Sequence, residues 1–133
     1  MKEYEPITIQ STLDGTLPRV PFGAIKEAIL GKRFDLSLAL TGDRRARRLN
    51  KAYRRKEYIP NILSFPLGPH EGEIILNLRK AEREAKKLRV PIRFYLAYLF
   101  IHGCLHLKGH THGSTMDKAK KKWCEHFRIP YLS

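Results

Sequence analysis

The chain is short of acid, of cysteine and of long clean apolar runs. It has 13 Asp and Glu against 26 Lys and Arg, a formal net charge of +13 over 133 residues. That imbalance disfavours cationic partners and points to a polyanion, nucleic acid before membrane, because no basic amphipathic arm stands at either end. There are two cysteines, Cys104 and Cys124, with no C-x-x-C spacing. A disulfide framework and a thiolate zinc site are thereby excluded, and both are read as packing residues. No stretch reaches about 18 uninterrupted apolar residues, so no membrane span is expected and no membrane partner. The opening Met1-Lys2-Glu3-Tyr4-Glu5-Pro6 is not a signal peptide, which leads us to expect a cytoplasmic protein. Repeats, linkers and low-complexity segments are also missing. Residues 1–133 therefore read as one domain, with an ordinary apolar fraction of 42% to build its core.

What is present reads as strands with interspersed helices. Ile7–Gln10 and Leu36–Leu40 alternate like half-buried strands, and Ile62–Phe65 and Glu73–Leu76 read as two more. A helix is expected over Pro21–Leu30, with Phe22, Ile25, Ala28 and Ile29 inward and Gly31 ending it. Thr41-Gly42-Asp43 offers an N-cap for a helix from about Arg44 to Arg54, whose inward face is Ala46, Leu49, Asn50 and Tyr53. Asn77 caps a charged helix through about Leu88, with Leu78, Ala81, Ala85 and Leu88 as its apolar stripe. Ile92–Leu107, behind Pro91, is apolar nearly all round and should be buried. Ser114 or Thr115 caps a last helix from about Met116 to Phe127, with Trp123 inward and a lysine-rich outer face. The expected fold is α+β: a small mixed sheet of about four strands packed with about five helices.

The chemistry concentrates in His102-Gly103-Cys104-Leu105-His106-Leu107-Lys108-Gly109-His110-Thr111-His112. On a helix, His102 and His106 stack on one face, with Cβ atoms roughly 5–6 Å apart. Two such imidazoles reach one metal ion through bonds of about 2.0–2.1 Å. Gly109 accepts the left-handed conformation that stops a helix, so the chain can turn back and bring His112 to the same point. Three neutral imidazoles plus a water make the open tetrahedral pattern of catalytic zinc. The plainer alternative is a pair of core histidines, each hydrogen-bonded to a carbonyl. The residue after the first histidine is Gly103, so the general base of the H-E-x-x-H zinc proteases is missing. Glu73 and Asp117 are the nearest acidic candidates for that role.

H-G-x-L-H-L-x-G-x-x-H resembles the signature of the YbeY-type rRNA maturation factors, zinc-dependent bacterial endoribonucleases. A second anchor, Leu49-Asn50-Lys51-Ala52-Tyr53-Arg54-Arg55-Lys56 with Asn61-Ile62-Leu63-Ser64-Phe65-Pro66, is similar to that family's L-N-x-x-Y-R-x-K…T-[DN]-V-L-S-F-P. Gly72-Glu73-Ile74-Ile75 resembles the strand that follows. The resemblance implies a zincin-like central metal-binding helix and one Zn²⁺ on His102, His106 and His112. It also implies Arg54 beside the metal as a catalytic residue and substrate ligand. Lys56, Ser64 and Phe65 are the further expected substrate contacts. The implied activity is single-strand-specific cleavage of RNA in rRNA maturation and ribosome quality control, with the ribosome or ribosomal proteins as partners. Metal-activated water and the RNA's own 2′-hydroxyl are both open as nucleophile, and a cyclic phosphate end would identify the latter. The chain departs from the family pattern at Ile59, Pro60, His110 and Thr111. Thr111 replaces an acidic residue; it hydrogen-bonds but cannot act as a base. The alternative from another class is a non-catalytic RNA- or ribosome-binding assembly factor with structural or vestigial zinc. A degenerate zinc protease is a third reading, which the basic charge opposes.

Overall fold

The computed structural model describes residues 7–13, 15–110 and 113–132. Its strands are Ile7–Ser11 (β1), Asp35–Thr41 (β2), Ile62–Gly68 (β3) and Glu71–Asn77 (β4); its helices are Phe22–Leu30 (α1), Asp43–Arg54 (α2), Leu78–Leu88 (α3), Ile92–Leu107 (α4) and Ser114–Phe127 (α5). One four-stranded sheet runs in the order β1-β2-β4-β3. The pairs β1/β2 and β2/β4 are parallel and β3/β4 is antiparallel, so the sheet is mixed as expected.

Sequence alternation explains which strand sits where. In β2, Leu36, Leu38 and Leu40 are buried while Ser37 is exposed. In β4 the run Ile74-Ile75-Leu76-Asn77 is buried throughout, as a strand covered on both faces must be. β3 is the edge. It extends past Phe65, where the sequence pattern stops, through Pro66 to Gly68, with a register shift between Pro66 and Gly68. An edge strand tolerates that proline. The Asn77 N–H donates to Asn61 O at 2.9 Å in the same register, so 61, 63 and 65 point their backbone groups toward β4. Position 66 points outward, and its missing N–H costs no ladder bond.

Several inward-facing expectations need correction. Tyr53 is 69% exposed, and among the described residues the ring it meets is that of Phe65, at 5.2 Å between centroids. Of that helix only Ala46 and Asn50 are buried. Leu88 is 52% exposed, at the point where Arg89 turns left-handed and leaves the core. On α1, Ala28 faces solvent and Lys26 is buried instead, its Nζ donating to Lys32 O at 3.0 Å. Gly42, within the expected Thr41-Gly42-Asp43, is the N-cap of α2, while Gly113 and not Ser114 or Thr115 takes that position on α5; neither cap has a side-chain capping bond. Trp123 is only half-buried, against His126 and Phe127. Asn77 does cap α3, accepting from the Lys80 N–H at 3.1 Å, and both cysteines are buried. Burial pushes the Cys124 thiol up to about 11 and the Cys104 thiol further, as inert packing residues require.

Helix α4 is the centre of the core. Ten of its residues are buried, it packs on the sheet and on α1, α3 and α5, and no single described helix is long and apolar enough to cross a membrane. Its approach to the sheet depends on Gly103. A Cβ there would stand 2.8 Å from Ile62 Cδ1, 2.9 Å from Ser64 Oγ and 3.1 Å from Ile74 Cδ1. Gly103→Ala is expected to destabilise the protein. Overpacking costs about 1–3 kcal/mol, of which about 1 kcal/mol is offset by replacing glycine in a helix. Urea titration checks this, and an unchanged or raised midpoint contradicts it.

Asp43 ties the start of α2 to α3 and to the end of β4. It accepts from both Nη atoms of Arg83 at 2.9 and 3.0 Å, and from Asn77 Nδ2 at 2.8 Å. The Arg83 hydrogen bonds hold its carboxyl below the usual carboxylate value, against some desolvation. The stability this contributes is present above the unfolded-state pKa of about 3.9 and is lost as pH falls through the lower folded value. Asp43→Asn should therefore be less stable than wild type at pH 7, with the two curves converging below about pH 3. Denaturant unfolding at stepped pH reads this directly; a gap that persists into acid contradicts it.

Candidate functional site

The site is assembled by one close approach. Because Gly103 lets α4 lie against the edge of the sheet, the neighbouring face of the helix, His102 and His106, opens onto a cavity beside β3. The Ser64 hydroxyl donates to Gly103 O at 3.3 Å and fastens strand to helix. One turn on, Leu107 lies over Gly72, where a Cβ would be 3.0 Å from both leucine methyls. The two imidazoles are half-buried. Their Nε2 atoms stand 3.0 Å apart, with ring planes at 74°.

The cavity holds about 490 Å³, and its lining includes Arg54, Tyr58, Asn61, Ser64, His102 and His106. Arg54 is the last residue of α2, and its Nη1 donates to the Tyr58 hydroxyl at 3.2 Å. Asn61 donates to Glu84 Oε1 at 3.0 Å, and the Tyr95 hydroxyl donates to the same oxygen at 2.9 Å. Burial, then the Glu84 carboxylate, raises the Tyr95 phenol, so it stays protonated and donates to Glu84. The wall is thus cationic and hydrogen-bonding.

Of the residues singled out from the sequence, Arg54, Ser64, His102 and His106 meet at this cavity. Lys56 and Phe65 do not line it: Lys56 is exposed just beyond α2, and Phe65 points to the other face of β3, against Tyr53. Ser64 lines it with its proton already engaged on Gly103 O. His112 and Thr111 lie outside the described residues. Gly109 does adopt a positive φ of 105° after the last turn of α4, the stop read from the sequence. Glu73 and Asp117 are not in the lining, and among the described residues no carboxylate is. No group of three or more His, Cys, Asp or Glu able to hold a metal is found among the described residues either. Tyr58 is the cavity residue that sequence reasoning missed. It carries no periodic or motif signal, and only its hydrogen bond to Arg54 gives it away.

The donor chemistry fits a borderline metal such as zinc. Two Zn–N bonds of about 2.0–2.1 Å at a tetrahedral angle set their nitrogens about 3.3 Å apart. The Nε2 pair at 3.0 Å needs only a few tenths of an ångström to open to that spacing.

Comparison with known proteins follows the same residues. The family model described as Endoribonuclease YbeY matches residues 7–126. The chain is 36% identical over 109 residues to Endoribonuclease YbeY of Solibacter usitatus, covering 79% of this chain and 73% of that one. It is also 36% identical over 98 residues to Endoribonuclease YbeY of Bordetella petrii, covering 70% and 63%. The solution structure of TM1509 from Thermotoga maritima superposes with a TM-score of 0.64 at 22% identity, over 92% of this chain and 91% of that one, a likeness of fold. The match thus takes in the sheet, the basic helix with Arg54, and both histidines of α4, and the chain belongs to the Endoribonuclease YbeY family.

Proposed function

We propose that this protein is a zinc-dependent endoribonuclease that cuts single-stranded RNA, in rRNA maturation and ribosome quality control, in the cytoplasm. One observation carries the reading: two imidazole nitrogens 3.0 Å apart share a cavity with an arginine. His102 and His106, with His112, would hold the ion on a zincin-like helix. When bound, such an ion supplies a Lewis acid and lowers the pKa of a water toward about 7.

The chain's own residues do the rest. Arg54 presents a guanidinium fork that matches a phosphate and offsets the charge that builds on it during cleavage. The Tyr58 hydroxyl accepts one of its N–H groups and limits its rotamers. Ser64 also fastens strand to helix, its proton going to Gly103 O. Beyond the cavity, Arg44, Arg47, Lys51 and Arg54 recur at helical spacing along α2. At 1.5 Å per residue they form a cationic stripe about 15 Å long. Among the described residues none of the four pairs with a carboxylate. That stripe leads the phosphate backbone to the histidines. A non-catalytic RNA-binding factor is the second reading, favoured by the lack of a described carboxylate in the cavity wall.

Two expectations follow from the separate roles. His106→Ala and Arg54→Ala should each cut turnover of a single-stranded RNA by about 10²–10³, the cost of losing one preorganised charge-stabilising group. Only His106→Ala should also lose zinc, read by metal analysis of the purified protein. Cleavage by His106→Ala at the wild-type rate would establish the binding-only reading. The triple change Arg44→Ala, Arg47→Ala and Lys51→Ala should weaken binding to single strands of any sequence. It should also flatten the dependence of log K on log salt by about 2, since each phosphate contact contributes about 0.7. An unchanged slope would make those residues a solvated face only.

A further inference from the structure

The segment between α2 and β3 is held by side chains on successive carbonyls. Glu57 O accepts from Arg47 Nε at 3.1 Å, and Tyr58 O accepts from Asn50 Nδ2 at 3.0 Å. Ile59 O accepts from Lys80 Nζ, and Pro60 O accepts from Asn77 Nδ2 at 3.2 Å. The backbone N–H of Asn77 then takes Asn61 O at 2.9 Å. The donors come from α2, α3 and the end of β4, and both asparagines are fully buried. Five carbonyls in a row are thus fixed by groups outside the segment, so its backbone has little freedom left to lose when a ligand arrives.

What this fixed segment presents to the cavity is Tyr58. The residue is 53% exposed, in a wall shared with the two histidines. Among the described residues no other ring packs on it. The core therefore gains little from it. Its hydroxyl is committed to Arg54, which orients the ring relative to the guanidinium. A rigidly mounted π-face beside a phosphate-binding cation fits a nucleobase and its adjoining phosphate.

We propose that Tyr58 is the specificity-determining residue of this cavity: its ring stacks on one nucleobase next to the phosphate held by Arg54, and its hydroxyl keeps Arg54 in place. The inference rests on the reading that RNA occupies the cavity and deepens it. Bases inside a duplex have both faces covered by their neighbours, so such a ring selects strands whose bases are free, with little preference among the four.

The test is binding of short single-stranded RNA by the whole chain in a His106→Ala background, where cleavage is slow enough for binding to be read first. An abasic site is placed at each position in turn. Tyr58→Leu should weaken binding between about fivefold and about a hundredfold, the range for one lost base stack. Tyr58→Phe, which keeps the ring, should stay within about twofold of the parent, and Tyr58→Trp should restore affinity. In the cleaving protein, Tyr58→Phe should lower kcat with KM held. One abasic position should cost the tyrosine protein the same factor and the leucine variant nothing. Additive losses at every position would overturn the stacking role, as would equal weakening by Tyr58→Phe and Tyr58→Leu. Should the parent protein bind no single-stranded RNA at all, the proposed function itself is overturned.

Discussion

The buried amide of Asn77 is the knot on which the arrangement depends. It ends the inner strand β4, and both ends of its side chain and its backbone N–H are all engaged. The side-chain oxygen caps α3 through the Lys80 N–H. The side-chain nitrogen is shared between Asp43, at the first turn of α2, and the Pro60 carbonyl before β3. The backbone N–H holds Asn61. Sheet, two helices and the cavity wall thus meet on one residue with no accessible surface. A buried polar group is costly when unpaired, so the neighbours are not independent choices. Moving any one of them strands an atom of Asn77 away from water. Asn50 has a similar duty on Tyr58 O, while its side-chain oxygen, like the Thr41 hydroxyl, has no hydrogen-bond partner among the described residues.

Around this knot, helix α4 is placed by burial. An apolar surface nearly all round leaves it no solvent face, and the sheet, α1, α3 and α5 supply its cover. Two imidazoles interrupt that surface at the one flank where the edge strand ends the cover. Gly103 has two consequences there. It brings the helix close enough for the imidazoles to border the cavity. It also removes any space for a glutamate at the position where zinc proteases carry their base, since even a methyl group would collide with Ile62 and Ser64. The steric constraint and the missing protease chemistry have one cause.

Much of this was legible in the sequence, because period and burial are local properties. The alternating leucines of β2, the doubly buried run of β4, the all-apolar helix and the four-residue histidine spacing each emerge from a few neighbouring residues. The resemblance that joined Arg54 to the histidines bridged what spacing alone does not reach. What stayed hidden is tertiary. Tyr53, Leu88 and Ala28 sit at helical positions that match an inward face, yet the sheet or the chain ends before it covers them. Lys26 is buried because a carbonyl waits for its ammonium, which no periodicity reports. Tyr58 belongs to the cavity because donors on three elements bend its segment there. Phe65 follows the opposite parity of β3 from Ser64, so two adjacent residues of one motif serve different faces. His112 falls outside the described residues.

The end of β3 has a further implication. A free sheet edge invites pairing with another polypeptide, and this one borders the cavity. Within the strand only Ile62 and Ser64 turn an N–H outward before Pro66 interrupts the pattern, and the register shift then twists the remainder away. Two donors are too few to anchor an added strand. The edge beside the cavity is thereby blunted against the addition of another strand.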